Sequence, residues 1–293
     1  MAITAALVKE LRERTSAGMM ECKKALVETN GDLEAAIEHL RKTGMAKADK
    51  KADRTAADGL IIIRISDDQK LAVMVEVNCE TDFVAKDENF QNFANEVGDL
   101  TLANQPADLD ALLAMKMNSG DNVSDSTKAL TAKIGEKMEV RRFTLLKASD
   151  GAFSSYSHGS RIGVVVELSG NDVALAKDIA MHIAASKPVC VSSDEVPAEL
   201  IEKEKEIFAA QAAESGKPAE IVEKMVSGRI NKYLKEVTLL GQPFVKDPDS
   251  TVEKLLKSAN AAVNQFTRFE IGEGVEKKQE NFADEVMAQV KGS

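Results

Sequence analysis

The feature that most constrains this chain is a pattern that it runs through twice. A strand of buried-type residues, a connector, an amphipathic helix, small residues and a proline follow one another in VMVEVN…FANEVGDLTLANQP. The same order returns in VVVELS…IAMHIAASKP. Val75 and Val166 stand about 90 residues apart, too far for a solenoid repeat. Each copy opens as a hairpin. Gly59–Ser66, the turn Asp67-Asp68-Gln69-Lys70 and Leu71–Cys79 make the first, and Ala152–Tyr156, a turn at Ser157–Ser160 and Arg161–Leu168 make the second. The expected fold class is therefore α+β, with a duplicated antiparallel hairpin-plus-helix core. In the first copy Phe90, Phe93, Ala94 and Val97 recur at helical spacing, and in the second the helix spans Val173–Ser186. Glu139–Lys147 is again strand-like, and residues 104–127 are polar around a weak helix.

The flanks read as helices. Thr4 caps a first helix with Leu7, Val8 and Leu11 on one face, and Met19–Thr29 forms a second after the turn Ser16-Ala17-Gly18. Asp32 caps a third, which buries Leu33, Ala36, Ile37 and Leu40 and stops at Gly44. So small a bundle has a thin core and suits docking better than catalysis. A basic connector, RKTGMAKADKKADR (41–54), follows it, either as a solvated helix or as a contact for an acidic surface. Pro197 and Pro218 open the two arms of a helical hairpin over 197–236, with Gly216 between them. GQPFVKDP (241–248) reads as a loop, Asn264–Ile271 as a last strand, and Asn281–Val290 as a short amphipathic helix.

Charge and residue usage exclude several functions. Acids outnumber Lys and Arg by 48 to 38, a net charge of −10, which argues against duplex nucleic acid as a direct partner. With no Trp, two Tyr and no interleaving of aromatic with basic residues, a stacking platform for single strands is missing too. No apolar run reaches the ~20 residues that cross a bilayer, and the opening MAITAALVKELRER lacks the pattern of a secretory signal. Cys22, Cys79 and Cys190 are scattered and odd in number, so a reducing compartment, the cytosol, is expected, with no structural metal. There is no GxxxxGK[ST] and no GxGxxG, so no nucleotide or other cofactor is expected on the chain itself. His39, His158 and His182 neighbour no cysteine, which leaves a thiol hydrolase without a motif.

Two segments stand out against this background. In NCETDFVAK a strand ends at Asn78 and the next helix starts near Asp87, leaving Asp82, Phe83 and Val84 in a strand-to-helix loop. Phe83 either tucks into its own core while Asp82 caps a turn, or stands out as an apolar wedge beside a carboxylate. Met19 and Met20 open a helix as neighbours, so one core cannot take both. Either one of them is exposed beside Lys23, Lys24 or Val27, where flexible methionine suits protein docking, or both are half-buried. His158 sits in the second hairpin turn, where a lone histidine is ordinarily incidental.

LVKELRERTSAGMMECKKAL, KADKKADRTAADG, NCETDFVAKDENF, KIGE (133–136), HGSRIGVVVELSG, ASKP (185–188), EKMVSGRINKY, GQPFVKDP and RFEIGEG occur in this order over nearly the whole chain. Together they resemble the bacterial elongation factor Ts family, with TDFVAK and the N-terminal string the most specific. The resemblance implies a non-enzymatic guanine nucleotide exchange factor in translation elongation, acting on elongation factor Tu in its GDP-bound and nucleotide-free forms. It implies that Thr81, Asp82, Phe83 and Val84 form a segment that dislocates the partner's magnesium ion, Phe83 entering an apolar groove. Ile134 and Gly135 extend that surface, His158 approaches the phosphate-binding loop, and Met19, Met20 and Lys23 dock the N-terminal module. Lys137-Met138 departs from the family's usual Asn-Ile after KIGE, while Ile134-Gly135 is kept.

The resulting division is an N-terminal three-helix, UBA-like docking domain and linker (1–54), core subdomain one (55–148), core subdomain two (149–196 and 237–271), an inserted helical hairpin (197–236) and a C-terminal module (272–293). No catalytic residue, cofactor site or metal site is expected, and self-association through the hairpin stays open. The competing reading is a cytosolic chaperone-like adaptor, for which Phe83 would be dispensable.

Overall fold

The computed structural model describes residues 3–15, 17–170, 172–213 and 218–275. Ser16, Gly216 and the helix expected at Asn281–Val290 lie outside the described residues. In chain order the elements are α1 (Ala5–Thr15), α2 (Met19–Glu28), α3 (Leu33–Asp49), β1 (Asp58–Ile65), β2 (Leu71–Cys79), α4 (Asp82–Ala85), α5 (Glu88–Asn104), α6 (Leu109–Ala114), α7 (Val123–Ile134) and β3 (Met138–Lys147). There follow β4 (Ala152–His158), β5 (Ile162–Ser169), α8 (Val173–Ser186), a 3-10 turn at Ser193–Glu195, α9 (Ala198–Ala213), α10 (Ala219–Val237), β6 (Pro243–Phe244), β7 (Asp247–Thr251), α11 (Val252–Ser258) and β8 (Ala262–Glu270). The fold is α+β, helices with small sheets in the orders β1-β2-β3, β4-β5-β8 and β6-β7. The chain divides into two compact units, one of Met1–Ile62, Val75–Phe143 and the chain from Ile271, the other of Ile63–Met74 and Thr144–Glu270.

In the first unit α1, α2 and α3 close on Leu11, Cys22, Ala25, Leu26 and Ala36. The expected caps are present: Leu7 N–H donates to Thr4 Oγ1 at 3.2 Å and Ala35 N–H to Asp32 Oδ1 at 2.9 Å. Gly44 does not stop α3, which runs on to Asp49. A glycine inside a helix costs about 1 kcal/mol against alanine, and close packing against α7 offsets it. A Cβ at position 44 would lie 3.1 Å from Ala132 Cβ. Arg41 and Asp121 pair at 2.6 Å, and Lys128 and Asp49 at 3.0 Å, along the same contact. The stretch 41–54 is thus largely the end of α3, and several of its cations are satisfied inside their own unit. A second core gathers Leu60, Val75, Val77, Phe90, Phe93, Val97, Leu112 and Val123 between strands and helices.

In the second unit β5 lies between β4 and β8, antiparallel to both, with Val164 opposite Tyr156 on one side and Arg268 on the other. α8 packs on this sheet through Ile179 and Ile183, and Leu239, Phe244 and Val252 complete the core. GQPFVKDP is not a plain loop: Pro243 pairs with Thr251 and Phe244 with Asp247. His182, fully buried on α8, holds that ribbon. Val245 N–H donates to His182 Nδ1 at 3.2 Å, so the ring proton sits on Nε2 and is donated to Gln242 Oε1 at 2.9 Å. Burial pushes the imidazole below its usual range, against the raising effect of Gln242, and keeps it neutral. α9 and α10 pack on each other as the expected hairpin, with the Arg229 guanidinium 5.6 Å from the Phe208 ring centroid.

Candidate functional site

The segment that the sequence leaves between core and surface resolves into both. Asp82–Ala85 is one helical turn rather than an open loop. Thr81 caps it, its Oγ1 accepting from Val84 N–H at 3.4 Å. Val84 and Ala85 point inward and are buried, whereas Phe83 points outward and is 79% exposed. Asp82 pairs with Lys86 at 2.7 Å, one turn on. Asp87 ends the motif by capping α5, its carboxylate accepting from Asn89 and Phe90 N–H. A lone helical turn has no stability of its own, so the burial of Val84 and Ala85 and the cap at Thr81 are what fix Phe83.

The other first-unit residues expected in the site surround a second turn. α7 ends at Ile134, which packs against the core beneath it, and Gly135 adopts φ +94°, the left-handed conformation of a helix C-cap. Lys51 Nζ donates to the Gly135 carbonyl. Glu136, the last residue of KIGE, accepts from Thr81 N–H at 3.1 Å and from Thr81 Oγ1 at 2.9 Å. Thus Ile134-Gly135 and Thr81–Val84 are joined through a residue that sequence reasoning did not single out. Its only signal was its place in a motif, because Thr81 lies 55 residues earlier.

On α2, Met19 is 60% and Met20 74% exposed. Lys23 and Val27 are exposed as well, and Met20, Lys23 and Val27 share one face at i, i+3 and i+7. The alternative of two half-buried methionines is therefore overturned. The opposite face, Cys22, Ala25 and Leu26, supplies the bundle core.

His158 belongs to the second unit, as the last residue of β4 rather than a turn residue. It is exposed, stacks on Tyr156 with centroids 6.4 Å apart, and shares a hydrogen bond of 3.3 Å with the Tyr156 hydroxyl. Gly159 follows with φ +58°, so the hairpin presents the ring at its tip.

Burial disfavours the thiolate at two of the three cysteines. Cys79 is fully buried, and burial, with the Glu136 and Asp58 carboxylates, pushes its thiol up to about 12. Burial raises Cys190 as well. Among the described residues no group of three or more His, Cys, Asp or Glu could hold a metal ion. No helix among them is long and apolar enough to cross a membrane.

A family model described as "Elongation factor TS" matches residues 80–273. An elongation factor Ts of Thioalkalivibrio sulfidiphilus is 66% identical over 294 residues, covering all of both chains. Those of Methylococcus capsulatus and Legionella pneumophila (strain Paris) are 62% and 60% identical, over 100% and 99% of each chain. An α+β chain with these relatives along its full length is a translation elongation factor. The chain belongs to the elongation factor Ts family.

Proposed function

We propose that this chain is a guanine nucleotide exchange factor for elongation factor Tu. It binds the GDP form, disturbs the partner's magnesium and phosphate site, and holds the nucleotide-free partner until GTP enters. The exposure of Phe83 on a capped, clamped turn carries this reading. A large apolar side chain held out from a rigid support is what insertion into an apolar groove requires. Asp82 and Thr81 flank it, Val84 anchors it from below, and Ile134 and Gly135 extend the contact. Met19, Met20 and Lys23 dock the N-terminal module, and His158 reaches the phosphate-binding loop from the second hairpin. The magnesium ion bridges and neutralises the nucleotide phosphates, so loss of its support weakens GDP.

The work is done by linkage. Exchange factor and nucleotide lower each other's affinity for the partner by the same factor, and no bond is made or broken by this chain. It is not an enzyme in the chemical sense, and it acts in the cytoplasm without touching nucleic acid or membrane. The buried thiol of Cys79 supports this over a hydrolase. The two three-stranded sheets, each with a helix packed on it, support the reading of two core subdomains related by duplication. The N-terminal bundle is read as UBA-like. Leu200, Ile207 and Ile221, exposed on the hairpin, support self-association there.

Release of a fluorescent GDP analogue from elongation factor Tu, with excess unlabelled GDP and rising amounts of this protein, tests the reading. Saturable acceleration is expected. Intrinsic release at every concentration, with both proteins folded, would leave the adaptor reading in its place.

A further inference from the structure

Two adjacent pairs of residues clasp each other where β2 and α7 end. Glu80 and Thr81 follow β2, and Glu136 and Lys137 follow the Gly135 cap of α7. Glu136 accepts from Thr81 N–H at 3.1 Å and from its hydroxyl at 2.9 Å. Glu80 Oε1 accepts from Lys137 N–H at 2.5 Å. Each carboxylate thus receives the backbone N–H of the residue beside the other, which fixes both translation and rotation of one turn against the other. Arg54 Nη1 lies 3.4 Å from both Glu80 oxygens.

Thr81 is the hinge of this clasp. Its hydroxyl donates to Glu136 and accepts from Val84 N–H, so the cap of α4 is oriented by a residue outside the segment. Hydrogen bonds to a carboxylate are stronger than neutral ones and directional at both partners. Without Glu136 the hydroxyl can rotate and the N–H of Thr81, the cap of the turn, loses its acceptor. A turn of four residues cannot correct that by itself.

We propose that Glu136 is the positioning residue of the Phe83 wedge: by clamping Thr81 it sets the direction in which α4 presents the ring, so that insertion into a partner does not first have to order the turn. This rests on Phe83 acting as the wedge. A clamped turn enters a groove without a further ordering cost, whereas a loose one loses that cost from the complex in which GDP leaves. Docking through α2 does not involve the clasp. The loss therefore falls on the maximal rate of GDP release rather than on the concentration giving half of it.

The test is a double-mutant cycle on the full chain, with Glu136→Gln, Phe83→Ala and both together, read as maximal rate and half-saturating concentration of GDP release from elongation factor Tu. Glu136→Gln is expected to lower the maximal rate about tenfold, the equivalent of one charge-assisted hydrogen bond, with a much smaller change in half-saturation. In the Phe83→Ala background it is expected to cost nothing further. A wild-type maximal rate for Glu136→Gln beside a slow Phe83→Ala would overturn the positioning role and leave the wedge standing. Equal losses in both backgrounds would overturn it too, since a merely structural defect is additive. An unimpaired Phe83→Ala would remove the wedge, and the positioning role with it. Should Glu136→Gln fail to fold, Thr81→Val breaks the same clamp from the other side and is expected to show the same dependence on Phe83; additivity there would overturn the proposal.

Discussion

Glu76 and Glu167 occupy the same place in two different sheets, each fully buried on the middle strand and each gathering backbone and side chains from distant parts of its own unit. They coincide when VMVEVN is laid on VVVELS. Glu76 accepts from Arg141 Nη1 at 2.9 Å, Arg142 Nε at 2.5 Å and Gly272 N–H at 3.1 Å. Gly272 has φ +71°, and a Cβ there would come within 2.5 Å of the Ala57 carbonyl oxygen. Glu167 is held by donors instead of cations: the N–H groups of Ser149, Asp150 and Gly151, the Ser149 hydroxyl, and the amides of Asn264 and Gln265. A buried carboxylate is tolerated only when so satisfied.

Glu167 gives a prediction with a pH signature. Burial opposes its ionisation, but hydrogen bonds from Gln265, Asn264, Gly151 and Asp150 win and hold the carboxyl far below its usual range. A depressed folded-state pKa contributes stability that is whole above the unfolded value and shrinks as pH falls below it. Glu167→Gln should therefore destabilise the protein by about 1–3 kcal/mol at neutral pH. In urea unfolding the gap from wild type should stay level from pH 6 to 8 and narrow below about pH 4.3, the ordinary glutamate range. A gap independent of pH would contradict this account.

Gly44 tests the contact between α3 and α7. Gly44→Leu should cost about 1–3 kcal/mol by overpacking, despite leucine's better helix propensity. Ala132→Gly in the same chain should restore part of the loss, because it removes the Cβ that lies 3.1 Å from the added one. Thermal melts of the four proteins decide it, and a stabilised single variant would mean that the helices do not approach there.

The Gly44 case also shows what the chain discloses locally and what it hides. Short-range chemistry was readable: the Thr4 and Asp32 caps, the Phe90–Val97 face of α5, and the paired hairpins all follow from neighbours in sequence. Gly44 was misread because a helix-stopping glycine and a helix-packing glycine look alike until the partner helix is known. α11 and the β6-β7 ribbon were missed because Val252–Ser258 is too short to show a period, and because the ribbon hangs on His182, far back in the chain. At the candidate site, residue types and spacing left Phe83 undecided, and the burial of Val84 beneath it decided the matter. Glu136 stayed hidden because its partner is long-range.

Thiol chemistry separates the exchange reading from a hydrolase. Cys79 is buried and its thiol pushed up to about 12, so the fraction of thiolate at pH 8 is minute. Treatment of the folded protein with iodoacetamide at that pH should leave Cys79 unmodified by peptide mass mapping, with GDP release from elongation factor Tu unchanged. Rapid labelling of Cys79 with loss of activity would contradict both the burial and the assignment.

The central claim is that Phe83 drives the release of GDP. The direct measurement compares saturation curves for labelled-GDP release from elongation factor Tu with wild type and with Phe83→Ala. Truncating a buried aromatic hot spot removes about 2 kcal/mol or more, roughly 30-fold in the maximal rate. Because Phe83 is 79% exposed in the free protein, its melting temperature should not move. A fall of that order with an unchanged melt is the predicted result. Superimposable release curves for the two proteins would contradict the account.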